Sequence, residues 1–451
     1  MQTSSSSNGD VFRANASPMD RRALIVVSSY QPAMLADMQR ARMLAWELPK
    51  LGWRVEVISP RASEIRQDVI EPDSAGFFPT ETPIHGVGSF ARKLFEAGGS
   101  RSPMLRTLWP MRRLGSRLLR TSKFDLVYFS TTTFSYFSLG PVWKCQHGIP
   151  YVLDFHDPWV KANEQTSVPR GWKNRLVMRL ATRWERSAIL NASGVIAVSP
   201  RYIDLLRQRY EKDQPACLAP GRNAVIPFGA LARDLEEACG SESTKAANET
   251  AEITINYVGA GGPIMARSFS LICRALANLR VKKHPLVDRI RIRLFGTTYG
   301  WKNGDPKFLE NIALESGVSD LVIERPERVS YRRSLELLLQ SNGALVLGVD
   351  DCGYMPSKLF TYALSGKPLL ASLHRESPGF SKFHEIPSLG HMLWFDDNKE
   401  MSISEASDTM SRFIEEAASH RSFDRCEVLR PYLAPAMAEN HDRLFRSVIE
   451  Q

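Results

Sequence analysis

The sequence has no long hydrophobic run. Nowhere do about 18 apolar residues follow one another, as a membrane-spanning helix requires, and the first 22 residues, MQTSSSSNGDVFRANASPMDRR, contain no apolar segment. A secretory signal would need an apolar stretch of roughly 7–15 residues there. We therefore expect neither a transmembrane helix nor a signal peptide, and we expect the protein in the cytoplasm.

Cysteine is scarce and scattered. The chain has six, with no CxxC pair and no nearby histidine cluster: Cys145, Cys217, Cys239, Cys273, Cys352 and Cys426. Disulfide frameworks and zinc sites need closer, paired spacings. We expect free thiols in a reducing compartment, and no metal site.

Acidic residues are outnumbered, 49 against 58 Lys and Arg, which gives a net charge of +9. Between Arg92 and Lys123 there are nine Lys or Arg and one acid, Glu96, interleaved with apolar residues. Such a segment can lie on an anionic membrane surface, or it can be a solvated helix packed on its own domain. Without an aromatic stacking platform, nucleic acid is not expected. The membrane-surface candidates are Arg106, Arg112, Arg113, Arg117 and Arg120.

The length of the chain and its alternation of strand-like and helix-like segments predict two α/β domains. At 451 residues the chain exceeds one ordinary domain. Its apolar runs 23–29 and 54–60 flank a helical pattern over 37–50, which is a βαβ opening and predicts a parallel sheet. We expect a disordered tail (1–21), a first domain (22–229), a polar linker (230–252), a second domain (253–435) and a final helix (436–451) that crosses back to the first domain. Two doubly wound domains in tandem would leave a cleft between them.

The stretch GALVLGVDDCGYMPSKLFTYALSGKPLLAS (343–372) has the pattern strand, loop, helix, strand. Ser357 is placed to cap the helix, Gly366 suits its end and Pro368 prevents its continuation. A helix start at the carboxyl end of parallel strands is suited to binding an anion, most often a phosphate. Any βαβ unit has this geometry, so the stretch alone does not establish a function.

Several motifs occur in a fixed order along residues 22–430. They are LGWRVEVIS, FHDPW (155–159), ERSAILNASGVIAVS, VIPFG, YVGAGG and PSKLFTYALSGKPLLA. Together they resemble the retaining glycosyltransferases of family 4, which have the glycosyltransferase-B fold of two Rossmann-like domains. The resemblance implies that the second domain binds a nucleotide-sugar donor and the first an acceptor, that the anomeric configuration is retained, and that neither metal nor further cofactor takes part.

The resemblance also implies site residues in the second domain. Arg267, in the loop before the first helix, stands where the family has a phosphate-binding lysine, and the amides of Ser357 and Lys358 face the same diphosphate. The glycines Gly259, Gly261 and Gly262 form the entry loop. The segment from Arg325 to Val329 corresponds to the nucleobase loop. Arg267 is otherwise a surface arginine, and 325–329 an ordinary βα loop.

In the first domain, His156 and Asp157 match the family position that contacts the donor sugar, so we expect them, with Arg267, to be catalytic. The other interpretation of His156 is a histidine hydrogen-bonded within the end of the sheet. Polar groups on that face would stabilise an oxocarbenium-like transition state.

The sequence departs from the family at its two spaced glutamates, where it has Gly353 and Thr361. Threonine offers one hydroxyl in place of a bidentate carboxylate, although Thr361 still lies at the donor site. Asp351, or Asp350 beside it, is a substitute for the first glutamate. The family's Gly-Arg and Gly-Gly pairs are likewise replaced, by Gly259-Ala260 and Leu35-Ala36.

The leading hypothesis is a glycosyltransferase of hexosyltransferase type that transfers a sugar to a glycan or lipid-linked acceptor in cell-surface polysaccharide or glycolipid synthesis, at the inner membrane face. The first alternative is a catalytically inactive scaffold with the same fold, which the missing glutamates favour. The second is a nucleotide-sugar epimerase, with His156 and Asp350 or Asp351 as acid and base.

Overall fold

The computed structural model describes residues 21–89, 103–160, 172–239, 252–298, 305 and 307–450. The predicted disordered tail falls on residues 1–20, outside the described residues, except for its last residue, which begins the first strand.

The first domain is built on a seven-stranded parallel sheet of order β3-β2-β1-β4-β5-β6-β7. Its strands are β1 (Arg21–Val26), β2 (Trp53–Pro60), β3 (Ile84–Val87), β4 (Leu126–Ser130), β5 (Tyr151–Phe155), β6 (Gly194–Ala197) and β7 (Asn223–Val225). Its helices are α1 (Gln39–Glu47), α2 (Pro103–Thr121), α3 (Leu139–His147), α4 (Trp172–Asn191) and α5 (Pro200–Arg209).

Both faces of this sheet are covered, because its strands are apolar on both sides, as parallel strands usually are. Along β1, Ala23 and Ile25 join the core formed with α1, while Leu24 and Val26 join a second core on the opposite face. That second core contains residues of α2, α3, α4 and α5. These four helices therefore lie on one face of the sheet.

The second domain has a six-stranded parallel sheet of order β10-β9-β8-β11-β12-β13. Its strands are β8 (Ile253–Val258), β9 (Ile290–Phe295), β10 (Val322–Arg325), β11 (Gly343–Leu347), β12 (Leu369–His374) and β13 (His391–Phe395). The remaining helices are α6 (Ala232–Cys239), before this sheet, and α7 (Ala266–Val281), α8 (Phe308–Glu315), α9 (Tyr331–Gln340), α10 (Leu359–Leu364), α11 (Pro378–Glu385), α12 (Ile403–Ala418), α13 (Cys426–Leu429) and α14 (Ala434–Ile449).

The two parallel sheets confirm the predicted fold class, two tandem doubly wound Rossmann-like domains. The C-terminal helix α14 lies against the first domain, where Asp442 accepts a hydrogen bond from Trp53 Nε1 at 2.7 Å and Arg446 donates to the carbonyl of Leu51 at 2.9 Å. The segment 230–252, expected as a linker, contains α6. Buried Asp234 of α6 pairs with Arg42 of the first domain and accepts a hydrogen bond from Tyr331 of the second at 2.7 Å.

Candidate active site

The loops at the carboxyl ends of the two sheets meet across a cleft, and one arginine bridges it. Arg328, in the loop after β10, donates to the carbonyl of Met34, in the loop after β1. Its guanidinium also pairs with Glu71 at 2.6 Å, and the amide of Tyr331 donates to the same carboxylate at 2.7 Å. The cleft is thus closed at this edge by contacts between the domains.

A buried polar network lies below the first-domain side of the cleft. Asp154 of β5 is fully buried and accepts hydrogen bonds from His156 Nε2 and Tyr128 Oη, both at 2.7 Å, while Arg40 Nε lies 3.0 Å away. Burial alone would raise the pKa of Asp154, but the charge of Arg40 and the hydrogen bonds from His156 and Tyr128 outweigh it and hold that pKa well below its usual range. Asp154 therefore stays ionised.

The C-terminal helix completes this network through His441. Its Nδ1 lies 2.7 Å from the carbonyl of Met437, to which it donates, and its Nε2 faces Tyr128 Oη at 3.2 Å and Arg40 at 3.4 Å. Burial, together with the charge of Arg40, lowers the pKa of His441 to about 3. His441 is therefore neutral and accepts at Nε2.

His156 is held at one ring nitrogen and unpaired at the other. Its Nε2 is fixed by Asp154 and lies 3.3 Å from Ser130 Oγ, while the ring edge packs on Phe228 at 5.0 Å. Its Nδ1 is buried and has no hydrogen-bond partner within the described residues. The structure thus agrees with a histidine hydrogen-bonded at the end of the sheet through Nε2, and its contact with a donor sugar stays a prediction. Asp157 beside it is exposed.

Asp37 is a further carboxylate at this edge that sequence reasoning missed, because it was assigned to the start of the first helix. It is 9% exposed, and its Oδ2 accepts hydrogen bonds from Ser28 and, at 3.3 Å, from Thr132. Its Oδ1 has no hydrogen-bond partner among the described residues. Asp37, after β1, and His156, after β5, thus flank the end of β4.

On the second-domain side, the predicted glycine loop follows β8. Gly262 has φ of 92°, a conformation that favours glycine. The amide of Gly261 donates to Thr297 O at 2.8 Å, and a Cβ on Gly261 would lie 3.1 Å from the Thr297 and Leu309 side chains. These glycines let the loop pack closely on the neighbouring strand end.

Lys358 reaches from the start of α10 to this glycine loop. The residue is half-buried, but protein surrounds its ammonium group, which donates a hydrogen bond to the carbonyl of Val258. A side chain on Gly259 would lie 2.7 Å from Lys358 Nζ. Burial lowers the pKa of Lys358 to about 8, and the positive charge of Arg328 contributes in the same direction.

The prediction that Ser357 caps this helix is wrong. Helix α10 begins at Leu359, with Lys358 at the cap position and no side-chain cap. The amide of Leu359 instead donates to the carbonyl of Pro356 at 3.2 Å, so the main chain closes the first turn. With six residues the helix is also too short to give a strong dipole. The cation at this place is the Lys358 side chain.

Arg267 lies in the first turn of α7, and the preceding loop ends at Met265. The predicted loop position is therefore wrong by one residue or two, because the helix starts at Ala266. The guanidinium stacks on the ring of Phe395 at 5.5 Å. Arg267 is half-buried at the carboxyl edge of the second sheet.

The predicted nucleobase loop divides into three roles. Arg325 is exposed and stacks on Phe295 at 5.8 Å, and Val329 packs in a small apolar cluster with Val258 and Leu337. Arg328 between them makes the cleft-bridging contacts described above. Sequence reasoning missed Arg328, since its partners Glu71 and Met34 lie about 260 and 290 residues away in two different loops.

The position of the first missing glutamate is filled by the other domain. A Cβ on Gly353 would lie 2.8 Å from the Tyr202 ring and 3.2 Å from Arg201, both on α5. Asp351 accepts a hydrogen bond from the Gly353 amide at 2.8 Å and remains exposed. No side chain fits at Gly353 without displacing α5.

Tyr202 brings two predicted site residues together. Burial raises its pKa, and the charges of Asp351, from the second domain, and Asp157, from the first, raise it further. The charges of both carboxylates therefore act on the Tyr202 hydroxyl. Thr361, at the second missing glutamate, is half-buried on α10.

The basic segment is only partly as predicted. Arg106 is 8% exposed and cannot be a membrane-surface residue. Its neighbour Thr107 is fully buried and bonds to Tyr136 at 2.6 Å, so this turn of α2 faces the protein. The other candidates are exposed: Arg112, Arg113, Arg117 and Arg120.

Two features are absent from the described residues, a metal-binding cluster and a membrane-spanning helix. They contain no group of three His, Cys, Asp or Glu side chains arranged to hold a metal ion. No helix in the same residues has the length and apolar character to cross a bilayer.

Comparison with known proteins supports a glycosyltransferase-B fold. Residues 38–229 match the family model of the glycosyl transferase 4-like domain. None of the curated proteins matches the chain. Among solved structures, Alr3699/HepE of Anabaena in complex with UDP-glucose is 14% identical, with a TM-score of 0.57 over 94% of this chain and 99% of that one.

Two further structures cover nearly the whole chain. A UDP-forming α,α-trehalose-phosphate synthase from Burkholderia xenovorans is 10% identical, with a TM-score of 0.60 over 95% of this chain and 99% of that one. The lipopolysaccharide outer core galactosyltransferase WaaB is 11% identical, with a TM-score of 0.52 over 94% and 99%. The chain thus has the glycosyltransferase-B fold, and residues 38–229 of its first domain resemble the glycosyl transferase 4-like model.

Proposed function

We propose that the protein is a metal-independent retaining glycosyltransferase of hexosyltransferase type, which moves a sugar from a nucleoside diphosphate to a glycan or lipid-linked acceptor. The family match of the first domain and the two-domain fold support transfer between substrates held on opposite sides of the cleft. Solved neighbours bind UDP-glucose or form UDP, which makes UDP the first nucleotide to test.

The observation that carries the proposal is the enclosed ammonium of Lys358. Within the described residues it has one hydrogen-bond acceptor, the Val258 carbonyl, although a lysine ammonium has three N–H donors. A buried cation with unused donors is costly unless an anion completes its shell. A diphosphate beside the glycine loop would do so, and Lys358 would stabilise its negative charge as the sugar leaves.

The first domain supplies polar groups for the sugar and the acceptor. His156 Nδ1 and Asp37 Oδ1 are buried acceptor atoms without partners in the described residues. Since His156 Nε2 donates to ionised Asp154, Nδ1 carries the lone pair and would accept a hydrogen bond from a sugar hydroxyl. Asp37 would accept one from a second hydroxyl. Asp157 and Asp351 would border the sugar near Tyr202.

The proposed setting is cell-surface polysaccharide or glycolipid synthesis at the inner face of a membrane. The supporting observation is helix α2, whose outer side exposes four arginines and Trp109, 50% exposed. Arg113 stacks on that tryptophan at 5.6 Å. A basic helix with an exposed aromatic is suited to the headgroup region of an anionic bilayer.

A thermal-shift screen against UDP, GDP, ADP and CMP tests the donor site. A nucleotide at about 100 times its dissociation constant should add about 2.7 kcal/mol to the free energy of unfolding. We expect one nucleoside diphosphate to stabilise the protein, and Arg267→Ala to reduce that shift. If none of the nucleotides shifts the transition, the donor site does not exist as described.

The second candidate is a non-catalytic scaffold with the same fold, favoured by Gly353. Tyr202 and Arg201 of the first domain occupy the space of a side chain at this position. Transfer of sugar from a bound donor to any acceptor, lost on Arg267→Ala, would exclude the scaffold.

A further inference from the structure

Three neighbouring helices on one outer face of the first domain have no exposed carboxylate, whereas α5 on the same face exposes Asp204. Helices α2, α3 and α4 pack side by side on the same face of the sheet. Neither α2 nor α3 contains an acidic residue, and the single acid of α4, Glu185, is fully buried and paired with Arg209. The charge presented by these helices is therefore of one sign.

Helix α4 adds exposed apolar side chains to this positive charge. Leu176, Val177 and Leu180 are 49%, 62% and 40% exposed. Their spacing places them on one side of the helix, because residues three and four positions apart are neighbours on its surface, and Leu180 follows Val177 by three positions and Leu176 by four. These three apolar side chains are too exposed to belong to the core of the domain.

A row of arginines runs beside this apolar strip. Arg175, Arg179 and Arg183 follow one another at intervals of four residues and are all exposed. They line a groove of about 870 Å³ that also includes Met178 and Trp184. No ion pair involves these three arginines in the described residues, whereas Arg186, further along, pairs with Asp213 at 2.5 Å.

We propose that the exposed half of α4 forms, together with α2, a single docking surface for an anionic phospholipid bilayer. The apolar strip would enter the interface between headgroups and acyl chains, and the arginines beside it would bind lipid phosphates. The charge of the face selects an anionic partner, and the apolar strip selects a bilayer over a dissolved polyanion. The inference deepens the proposed membrane attachment and rests on it.

Vesicle sedimentation tests this surface on the full-length protein. The probes are vesicles of phosphatidylcholine alone and vesicles with about one third phosphatidylglycerol. One variant removes the apolar strip and keeps the charge (Leu176→Gln, Val177→Gln, Leu180→Gln). A second removes the charge and keeps the strip (Arg175→Gln, Arg179→Gln, Arg183→Gln).

Matched controls come from the second domain and its flanking helices. Ile264, Val281 and Leu314 are 59%, 80% and 65% exposed, and their triple change to Gln removes a similar apolar area. Arg412, Arg421 and Arg443 are exposed, and their change to Gln removes the same charge as the second variant.

We expect the wild-type protein to bind the anionic vesicles and not the neutral ones. Each arginine lost near the surface should weaken binding about fivefold, so the arginine variant of α4 should bind at least about 100-fold more weakly. The apolar variant should lose at least about tenfold, and both controls should stay within about twofold of the wild type.

Three results would overturn the inference. If the α4 variants bind like their controls while charge reversal of Arg112, Arg113 and Arg117 abolishes binding, α2 attaches the protein alone. If the apolar variant keeps full affinity and heparin competes fully, the face binds dissolved polyanions. If the wild type binds no vesicle, the proposed membrane attachment fails as well, while nucleotide binding still tests the transferase.

Discussion

Arg328 of the second domain and Glu71 of the first form an ion pair at 2.6 Å across the edge of the cleft. Burial raises the pKa of Glu71, while the amide of Tyr331 and the charge of Arg328 oppose that shift. The carboxylate is therefore ionised at the cost of stability, and Arg328 reduces this cost. The pair ties the loop after β10 to the first domain.

We expect Arg328→Met to destabilise the protein by about 2–4 kcal/mol, because a buried carboxylate is left without its partner. Removing Arg328 also raises the pKa of Glu71 further. Since a raised carboxyl pKa favours the folded state only while the group is protonated, this variant should lose more stability than the wild type as the pH rises above the ordinary carboxyl pKa of 4.5.

Urea unfolding of Arg328→Met, Glu71→Gln and the double variant measures the interaction free energy between the two side chains. The expected interaction energy is about 1–3 kcal/mol. Additive effects of the two substitutions would show that the two side chains do not interact in solution.

Substitution of Lys358 by Met should weaken the binding of a nucleoside diphosphate at least tenfold, about 1.4 kcal/mol. Without nucleotide, the same variant should be more heat-stable than the wild type at pH 7, because the substitution removes a buried charge. Calorimetric titration and thermal unfolding measure the two effects. Lys367→Met is the matched control, since burial also lowers the pKa of Lys367. Equal loss of affinity in both variants would argue against a specific role of Lys358.

The pKa of Lys358, lowered to about 8, should also make the stability of the ligand-free protein depend on pH. The unfolded chain binds this proton up to about pH 10, so the folded state binds fewer protons between pH 8 and 10 and gains stability as pH rises. Lys358→Met should remove this gain. An unchanged pH dependence in the variant would show that the ammonium is solvated.

His441 should make stability fall as the solution is acidified. Its pKa is about 3 in the folded state against 6.5 ordinarily, so the unfolded state takes up a proton first. The free energy of unfolding should therefore decrease as the pH falls from about 6.5 to 5, with a slope approaching 1.4 kcal/mol per pH unit. Asp154 does not contribute in this window, because its pKa lies below it in both states.

Urea unfolding at several pH values between about 7 and 5 tests this slope. His441→Gln should flatten it, while the exposed His420→Gln should leave it unchanged. A slope that is the same in all three proteins would contradict the neutral, buried His441.

Gly353→Ala should destabilise the contact between Asp351–Gly353 and α5. The new methyl group would approach Tyr202 to 2.8 Å, so we expect a loss of about 1–3 kcal/mol. Gly88→Ala is the control, since the nearest atom there is the end of a flexible arginine at 3.9 Å. Recovery of stability in the combined variant Gly353→Ala, Tyr202→Ala would confirm the contact, and equal effects at both glycines would refute it.

Much of the fold follows from local pattern. The strands β1, β2, β11 and β12 were predicted because each is a short apolar run between turn residues. The edge strands β3 and β13 were missed because apolar and polar residues alternate only weakly in them. In β3, with the sequence IHGV, one residue of four is buried. Helix α6 was missed because most of its residues are polar. Its buried Asp234 is paired by residues of both domains, which the local sequence does not indicate.

The site was predicted less completely, for a physical reason. The motifs placed His156, Lys358 and the glycine loop at the strand ends, but which atom of each faces a ligand depends on partners distant in sequence. Arg328 and His441 were missed, since their partners Met34 and Tyr128 lie about 290 and 310 residues away. Ser357 was assigned a cap that the main chain made unnecessary.

Calorimetric titration of the wild-type protein with UDP, UMP and pyrophosphate tests the central claim, a diphosphate site at the glycine loop and Lys358. We expect UDP to bind at least tenfold more tightly than UMP, since the second phosphate reaches the ammonium. We also expect Lys358→Met to remove this difference. Equal affinity for UDP and UMP, or no binding of either, would contradict a diphosphate site at Lys358.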